Sequence, residues 1–569
     1  AMVGFRLADD QAAPYVSLVR FPHELALGRD PSASTGTTFP ESFCCANLFD
    51  AAIAGQQTRP RSLQRAAEER IQHVDLPHGP VAPRIECDRD VDGNAQSVRV
   101  VVDFPAHGTS FFGGGEKAGP LELNGGDWDL WNADKPSYTE KTRALYQTHP
   151  WLLAVLSDGS VVGVLVDLIY ESTIDLSEPG VMSFKMDDDT VQDASLRPPE
   201  HERCLPMDVV IIACPNDDDD RSPVVEVVAA MSRLTGLSQL PPLWSLGYQQ
   251  CRWSYYPAER VLEVAQGFRD RHIPCDVIWL DIHYMDGYRV FTFDKSLFPD
   301  PKATNDALHA IGFKSVWMID PGVKLERGYH VFDTSYSDNH LVLHKNPADK
   351  SDIDGEGVGT ATCIEEGGGT EVSSAKAAET QRQNALAKEI VASENAPFLG
   401  AVWPGLCVFP DFTRPETREW WAQLYGPFMA QGIDGVWNDM NEPSVFDSPI
   451  GTIRKRAWHR GFGRSGAPHA AVHNIYGLLM VMASRQGILD ARPDRRPFLL
   501  TRSNLIGGSR FAATWTGDNL SDRPWLEWTI PMNLNLALSN VPFVGPDIGG
   551  FTGDWYALWS RRLLSCMYG

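Results

Sequence analysis

The stretch Asp434-Gly-Val-Trp-Asn-Asp-Met-Asn-Glu442 is a short apolar run that ends in a cluster of polar and acidic side chains. Buried strands are usually apolar throughout, so a carboxylate directly after one marks the exit of the strand. A β/α barrel keeps its chemistry at this end of its parallel strands. A second stretch, Ala513-Thr-Trp-Thr-Gly-Asp-Asn519, has the same form. Two strand ends that each offer an Asp near a Trp predict paired carboxylates around a sugar ring.

The same pattern recurs through the second half of the chain, where short apolar runs alternate with helical segments. The candidate strands are Ser245–Gln250, Asp276–Asp281, Ser315–Asp320, Gly432–Asp439, Pro497–Arg502, Ala512–Asp518 and Val541–Asp547. Most of them end in Asp, Arg or Gln, which predicts an α/β fold, a (β/α)8 barrel, over residues 238–569. Because a closed barrel has an eighth strand, we expect this one to be incomplete at its C-terminal end. A Gly-rich and acidic insertion at about 345–397 follows the third strand and turns helical at 374–393.

Residues 1–237 have a different pattern, with β-branched runs separated by Gly, Pro and Asp. Examples are Ser97–Asp103 and Val161–Val166, and the spacing predicts an antiparallel β-sandwich domain. The longest apolar region, Trp151–Tyr170, is interrupted by Asp158-Gly159. It therefore predicts a hairpin with a tight turn and not a membrane span.

The composition bounds the partners of the chain. Its 569 residues exceed what one core usually supports, so at least two domains are expected. A net charge of −24 disfavours nucleic acid and anionic membranes. The ten cysteines are scattered without metal-ligand spacing, and no N-terminal targeting signal is recognisable. These features favour a reducing, cytoplasmic location, with no cofactor, no metal and no membrane; a homo-oligomer is left open.

Five motifs in order resemble those of glycoside hydrolase family 31, the α-glucosidase family. They are Trp279-Leu-Asp-Ile-His-Tyr-Met-Asp286, Trp317-Met-Ile-Asp-Pro-Gly322, Trp437-Asn-Asp-Met-Asn-Glu442, Trp515-Thr-Gly-Asp-Asn519 and Gly545-Pro-Asp-Ile-Gly-Gly-Phe551. Phe112-Gly-Gly-Gly-Glu-Lys117 and Leu130-Trp-Asn-Ala-Asp134 resemble the family's sandwich domain, with an active-site loop near 130–138. The resemblance spans roughly residues 105 to 565, and the order of the motifs makes it specific.

The resemblance implies roles for individual residues. Asp439 matches the nucleophile of the family and Asp518 matches its general acid/base, which would have to stay protonated before the reaction. Asp281 and Asp547 would accept hydrogen bonds from the sugar, Arg502 would bind the sugar or orient the nucleophile, and Asp134 would lie near the next sugar. Apolar walls are implied for Trp403, Trp515, Met440 and Phe551. His283, Asp286, Asn438, Asn441 and Glu442 are expected to support these side chains, and His473 and Asn474 to be structural.

The predicted function is a retaining, exo-acting α-glucosidase that releases glucose from the non-reducing ends of α-linked oligosaccharides. An α-xylosidase, a transglucosidase or an α-glucan lyase would use the same Asp pair. A carbohydrate-binding protein without activity is the alternative from another class, because the family's last sugar-binding His and its C-terminal domains lie beyond this sequence. A metal-dependent barrel hydrolase is disfavoured, since the fifteen histidines contain no His-x-His or His-Glu-x-x-His cluster.

Overall fold

A computed structural model describes two compact units. It covers residues 75–76, 79–81, 83–89, 95–196, 208–216, 221–347, 374–393, 395–463 and 465–553, with the strands Met2–Arg6 and Tyr15–Arg20. The first unit comprises residues 1–238, 504–510 and 515–569, and the second comprises 239–503 and 511–514. The predicted domain limits, 1–237 and 238–569, stay a prediction.

The first unit contains two large antiparallel sheets and the short antiparallel pair β3-β4 among its described residues. Before residue 238 its strands are β1 (Met2–Arg6), β2 (Tyr15–Arg20), β3 (Asp75–Leu76), β4 (Gly79–Pro80), β5 (Pro83–Arg89), β6 (Ala95–Asp103), β7 (Ser110–Gly113), β8 (Asp127–Leu130), β9 (Gln147–Thr148), β10 (Trp151–Val155), β11 (Val161–Asp167), β12 (Ser172–Asp175), β13 (Val181–Met186) and β14 (Asp208–Cys214). Six of them pair in the order β1-β2-β14-β11-β10-β7, and five in the order β5-β6-β13-β12-β8.

Alternation of side chains explains why these segments form sheets. In β6, Val98, Val100 and Val102 point to one face and are fully buried. β10 and β11 pair antiparallel, with Val155 opposite Val161. The turn between them contains Gly159 at φ +84°, a backbone conformation that glycine adopts without steric cost. The hairpin predicted across Asp158-Gly159 is therefore confirmed.

The second unit holds a parallel sheet. The remaining strands of the chain are β15 (Gln249–Gln250), β16 (Val277–Leu280), β17 (Lys314–Ile319), β18 (Val323–Lys324), β19 (Leu399–Val402), β20 (Gly405–Val408), β21 (Gly435–Asn438), β22 (Trp458–His459), β23 (Ala467–Pro468), β24 (Leu499–Thr501), β25 (Asn504–Leu505), β26 (Ala513–Trp515) and β27 (Val544–Gly545). Parallel neighbours run in the order β15-β16-β17-β21-β24-β26. The unit boundary falls within β26, and Thr516 then donates its N–H to the carbonyl of Gly545 within the first unit.

Helices separate these strands along the chain, as a β/α pattern requires. The helices are α1 (Asp188–Gln192), α2 (Pro223–Thr235), α3 (Ala258–Asp270), α4 (Pro301–Ala310), α5 (His330–Ser337), α6 (Ser374–Val391), α7 (Pro415–Met429), α8 (His473–Ala491) and α9 (Arg523–Leu538). Helix α4 shows how the sequence starts one of them. Pro301 occupies the first turn, where its missing N–H costs nothing, and Asp300 accepts a hydrogen bond from the Ala303 N–H at 2.9 Å.

All seven predicted barrel strands occur, but most are shorter than predicted. One such difference is at Ser245–Gln250, where Leu243–Leu246 form a single 3-10 turn and only Gln249 and Gln250 pair as a strand. Ser245 closes that turn because both its N–H and its hydroxyl donate to the Pro242 carbonyl. Asp281 likewise ends its strand by starting a 3-10 turn, with its side chain accepting the Ile282 N–H.

The predicted helix within the insertion is confirmed as α6, ending at Val391. Residues 348–373 of the insertion and the helical pattern at 555–564 lie outside the described residues. In the described part of the chain, no helix combines the length and apolar character needed to cross a membrane.

Candidate active site

Polar side chains from neighbouring parallel strands meet at one edge of the second unit. Asp281 follows β16, Asp320 follows β17, Asp439 follows β21 and Arg502 follows β24. Since the carboxyl ends of parallel strands lie on the same edge of a sheet, the fold gathers side chains that are far apart in sequence. All four are largely buried, with the side chain of Asp439 14% exposed.

Arg502 is the cation at the centre of this group. It donates from Nε and Nη2 to the two carboxylate oxygens of Glu442, both at 2.8 Å. Its Nε also lies 3.2 Å from Oδ1 of Asp439. A guanidinium held by two bonds to one carboxylate has little rotational freedom, so Glu442 fixes the group that in turn holds Asp439. The supporting role expected for Glu442 stays a prediction, with these two bonds as its structural basis.

The loop after Asp439 is held by hydrogen bonds from Asn441 to the end of β24 and the residues that follow it. Asn441 donates its side-chain amide to Thr501 Oγ1 at 2.9 Å and accepts from the Ser503 N–H at 2.9 Å. Met440 has φ +56°, a left-handed conformation that is uncommon outside glycine. Its sulfur lies 3.2 Å from Arg502 Nη2. Such a backbone conformation persists only where surrounding contacts enforce it, and residues in unfavourable conformations of this kind are concentrated at functional sites.

Aromatic rings lie on the loops of the same unit. Trp403, from the turn between β19 and β20, lies 5.6 Å from the ring of Trp253 and 5.1 Å from that of Phe446. His283 stacks on Tyr256 at 4.8 Å. Trp253, Tyr256 and Phe446 are each about 40% exposed. Of these rings, only Trp403 was among the apolar walls expected from the sequence, because Trp253, Tyr256 and Phe446 stand outside the motifs.

Asp518 lies in the first unit, just beyond β26, where two tyrosines hold its backbone. Tyr146 accepts the Asp518 N–H at its hydroxyl at 3.3 Å, and Tyr138 donates its hydroxyl to the Thr516 carbonyl at 2.9 Å. The Ser137 N–H donates to the Asp518 carbonyl at 2.8 Å. Burial raises the pKa of Tyr138 well above its ordinary value, so the phenol stays neutral. The segment that carries Asp518 is therefore fixed through its backbone.

Gly517 makes this arrangement sterically feasible. Its φ is +67°, and a Cβ there would lie 2.0 Å from Cε2 of Tyr146, a fully buried ring. Only a residue without a side chain fits against the ring at that backbone angle.

The other first-unit residues of the predicted site lie at or just after the ends of strands. Trp515 is the last residue of β26, and Asp547 follows β27. The Asp547 carbonyl accepts from the Asn519 amide at 3.3 Å, while Phe551 donates its N–H to the Asn519 carbonyl at 2.8 Å. Asp134 lies in the loop after β8 and is half-buried. Asp518 and Asp547 thus belong to the first unit, whereas Asp281, Asp439 and Arg502 belong to the second.

Three buried histidines form a relay within the second unit. His459 Nδ1 lies 2.9 Å from Asp411 Oδ1, its Nε2 lies 2.9 Å from His469 Nδ1, and His469 Nε2 lies 2.9 Å from His473 Nδ1. His473 is at the start of α8, in the structural place expected for it. Burial lowers the pKa of His469 well below its ordinary value, so that ring is neutral. Among the described residues, no group of three or more His, Cys, Asp or Glu side chains could hold a metal ion.

Two family models match the chain. The model described as "Glycosyl hydrolases family 31 TIM-barrel domain" matches residues 238–566. The model described as "Glycosyl hydrolase 31 N-terminal galactose mutarotase-like domain" matches residues 57–175. The predicted fold class, a β/α barrel domain preceded by antiparallel sheets, is confirmed.

Curated proteins and solved structures agree with these matches. Alpha-glucosidase 2 of Bacillus thermoamyloliquefaciens is 36% identical over 447 residues, which cover 78% of this chain and 47% of that protein. Neutral alpha-glucosidase AB of Sus scrofa is 35% identical over 468 residues, covering 79% and 43%. The crystal structure of a family 31 alpha-glucosidase from Bacteroides thetaiotaomicron has a TM-score of 0.60 and 40% identity, covering 79% of this chain and 62% of that one. The chain spans about half the length of these two curated relatives.

Proposed function

We propose that this chain, which belongs to glycoside hydrolase family 31, carries the catalytic centre of a retaining, exo-acting α-glucosidase. The observation that supports this most is the carboxylate of Asp439 at the end of β21, held by Arg502, which Glu442 holds in turn. An anionic group fixed in this way can attack an anomeric carbon without first reorganising.

The proposed reaction has two displacements at the anomeric carbon. In the first, a carboxylate oxygen of Asp439 forms a bond to that carbon while the glycosidic C–O bond breaks and Asp518 gives its proton to the leaving oxygen. In the second, Asp518 takes a proton from water, whose oxygen displaces Asp439. Two inversions leave the released glucose in the α configuration.

Binding of the sugar would use the remaining predicted residues. Asp281 and Asp547 would accept from hydroxyls, Arg502 would orient Asp439, and Asp134 would lie near the second sugar. The apolar faces of the sugars would pack on aromatic and thioether side chains. Those side chains are Trp403, Trp515, Met440 and Phe551. The exposed rings of Trp253 and Phe446 adjoin Trp403 and would extend the aromatic surface along the substrate.

The products of maltose and of reducing-end-labelled maltotriose test this function. We expect proton NMR to show α-glucose before mutarotation, and the first label-bearing product to be maltose. A β product would contradict retention, and labelled glucose as the first product would contradict exo action. An anhydro sugar would indicate a lyase, longer oligosaccharides a transglucosidase, and faster turnover of an aryl α-xyloside an α-xylosidase. Calorimetric binding of a glucose mimic without any turnover would indicate a binding protein.

Replacing Gly517 with Ala tests the positioning of Asp518. The left-handed backbone costs an L-residue about 1–2 kcal/mol, and the new methyl group overlaps the Tyr146 ring, so the segment must move. A shift of the order of 1 Å in a reacting group lowers rates by about a hundredfold. We expect kcat/KM for maltose to fall by about that factor, measured together with thermal unfolding.

Gly125 is a matched control within the same unit. Its φ is +80°, but a Cβ there would meet nothing within 4 Å. Gly125→Ala should therefore lower stability by about 1 kcal/mol and leave kcat/KM unchanged. Equal kcat/KM values for the two variants would show that the fit between Gly517 and Tyr146 does not position Asp518.

A further inference from the structure

Asp320 is a buried carboxyl group that the proposed reaction does not use. It follows β17, is 5% exposed, and its Oδ1 has no hydrogen-bond partner among the described residues. The candidate strand Ser315–Asp320 ends at this residue, and the motifs imply no role for it. A buried polar atom without a partner is costly, so an unpartnered carboxyl oxygen at a candidate active site calls for a physical reason.

The register of the sheet places Asp320 beside Asp439. Ile319 is paired with Asn438 in parallel strands, and the Asp439 N–H donates to the Ile319 carbonyl at 3.3 Å. Residues in register on adjacent parallel strands face the same side of the sheet about 4.8 Å apart. Asp320 and Asp439 are the next residues in that register. Two carboxyl groups at this spacing do not both ionise readily, since like charges disfavour each other.

The nearby cation is already engaged by other carboxylates. Arg502 makes two bonds to Glu442 and one ion pair to Asp439. Lys324, on β18, pairs instead with Glu326 and Glu379 at 3.2 and 3.0 Å. Because the carboxyl groups of Asp281, Asp439 and Glu442 and the single guanidinium of Arg502 all act on Asp320, a neutral Asp320 relieves an excess of buried negative charge.

Two further titratable groups that interact with Asp320, Tyr284 and Cys407, are neutral. Burial raises the pKa of the Tyr284 phenol and of the Cys407 thiol well above their ordinary values, so neither adds charge. Burial, followed by the charges of Asp439 and Asp281, raises the pKa of Asp320 well above its usual range, while Arg502 opposes this.

We infer that Asp320 is a protonated positioning residue, whose neutral carboxyl group lets Asp439 stand ionised beside it. A second negative charge at this place would raise the affinity of Asp439 for a proton and remove the charge that attacks the sugar. The inference rests on the proposed function only in taking Asp439 as the nucleophile. The protonation of Asp320 itself is a property of the folded protein.

The variant Asp320→Asn tests this in the complete protein that carries the sequence, because Asn has the shape of a neutral Asp. The acid limb of kcat/KM against pH reports the ionisation of Asp439 in the free enzyme. If Asp320 is neutral, the limb stays within about 0.3 pH units of its wild-type position. A shift to lower pH of about one unit or more would show that a negative charge had been removed, and would overturn the inference.

Stability against pH is a second readout that needs no activity. A carboxyl group whose folded pKa lies above its unfolded value destabilises the fold progressively as pH rises between the two values. The wild-type protein loses stability in this way as the pH rises, and the Asp320→Asn variant does not. The Tm of the variant minus that of wild type should therefore rise between about pH 5 and pH 8. A flat or falling difference would contradict a protonated Asp320.

If Asp320→Asn does not fold, Asp439→Asn gives the same information. It removes the neighbouring charge, so Asp320 should ionise more easily and the Tm should fall less steeply with rising pH than in wild type. An unchanged slope would overturn the inference. Full turnover by Asp439→Asn would instead refute the proposed nucleophile, while the Tm slopes would still report on Asp320.

Discussion

Asp439→Asn should lower kcat for maltose by at least about 10⁴-fold, equivalent to about 5.5 kcal/mol of activation free energy. Asn keeps the shape of the side chain, so the loop and Arg502 stay in place, but an amide does not form the glycosyl ester. Steady-state rates and thermal unfolding should be measured on the same preparation. Retention of more than about a tenth of the wild-type kcat would reject Asp439 as the nucleophile.

A control variant on the same strand segment separates chemistry from stability. Asp434 precedes β21 and is buried, where it pairs with His309 at 2.6 Å and Lys314 at 3.0 Å. Asp434→Asn should lower the Tm and leave kcat unchanged, because this residue lies at the opposite end of the strand from Asp439. The Asp439→Ala variant adds a further check, since azide fills the space left by the side chain and should restore turnover with formation of the β-glucosyl azide.

Asp518→Asn should produce a loss that depends on the leaving group. Maltose leaves as a sugar alcohol that needs a proton, so kcat/KM should fall by about a thousandfold. A dinitrophenyl α-glucoside leaves as a stable phenolate without a proton, so its kcat/KM should fall by less than about tenfold. Equal losses for the two substrates would show that the substitution disturbs geometry and does not remove an acid.

Asp522 provides the matched control for this experiment. It lies four residues beyond Asp518 and caps helix α9 by accepting the Trp525 N–H at 3.2 Å. Asp522→Ala should lower stability by about 1 kcal/mol through loss of the cap. It should leave the ratio of the two kcat/KM values at the wild-type value, since the cap has no part in proton transfer.

The sequence predicted the barrel strands well because each one carries a local signal. An apolar run such as Val277–Leu280 followed by Asp281 shows both the strand and its exit. The ends of the strands were predicted too long because polar residues there bond locally. Asp281 accepts the Ile282 N–H at 2.6 Å and starts a 3-10 turn. Competition of that kind is decided by backbone geometry that the sequence pattern does not contain.

Parts of the candidate site escaped prediction for another reason. The environment of Asp320 depends on Asp281, Asp439 and Arg502, which arrive from three other strands. Tyr146 bonds to Asp518 across 372 residues of sequence. Asp320 lies in a strand-end motif, but its neighbours in sequence do not show the charges around it, and Tyr146 has no local pattern that distinguishes it from an ordinary buried Tyr. Their roles appear only once the sheet brings distant segments together.

The histidine relay from Asp411 to His473 also constrains how this chain can change over generations. Each ring depends on its neighbour, so loss of His469 alone would leave Nε2 of His459 buried without its partner, at about 1–3 kcal/mol. Replacing all three rings by apolar side chains of similar volume removes the bonds between the rings together, while Asp411 loses His459 but keeps the Thr413 hydroxyl and the Arg460 N–H as donors. The three histidines are therefore expected to change together in evolution. Substitution of one ring alone is selected against, whereas substitution of all three is tolerated.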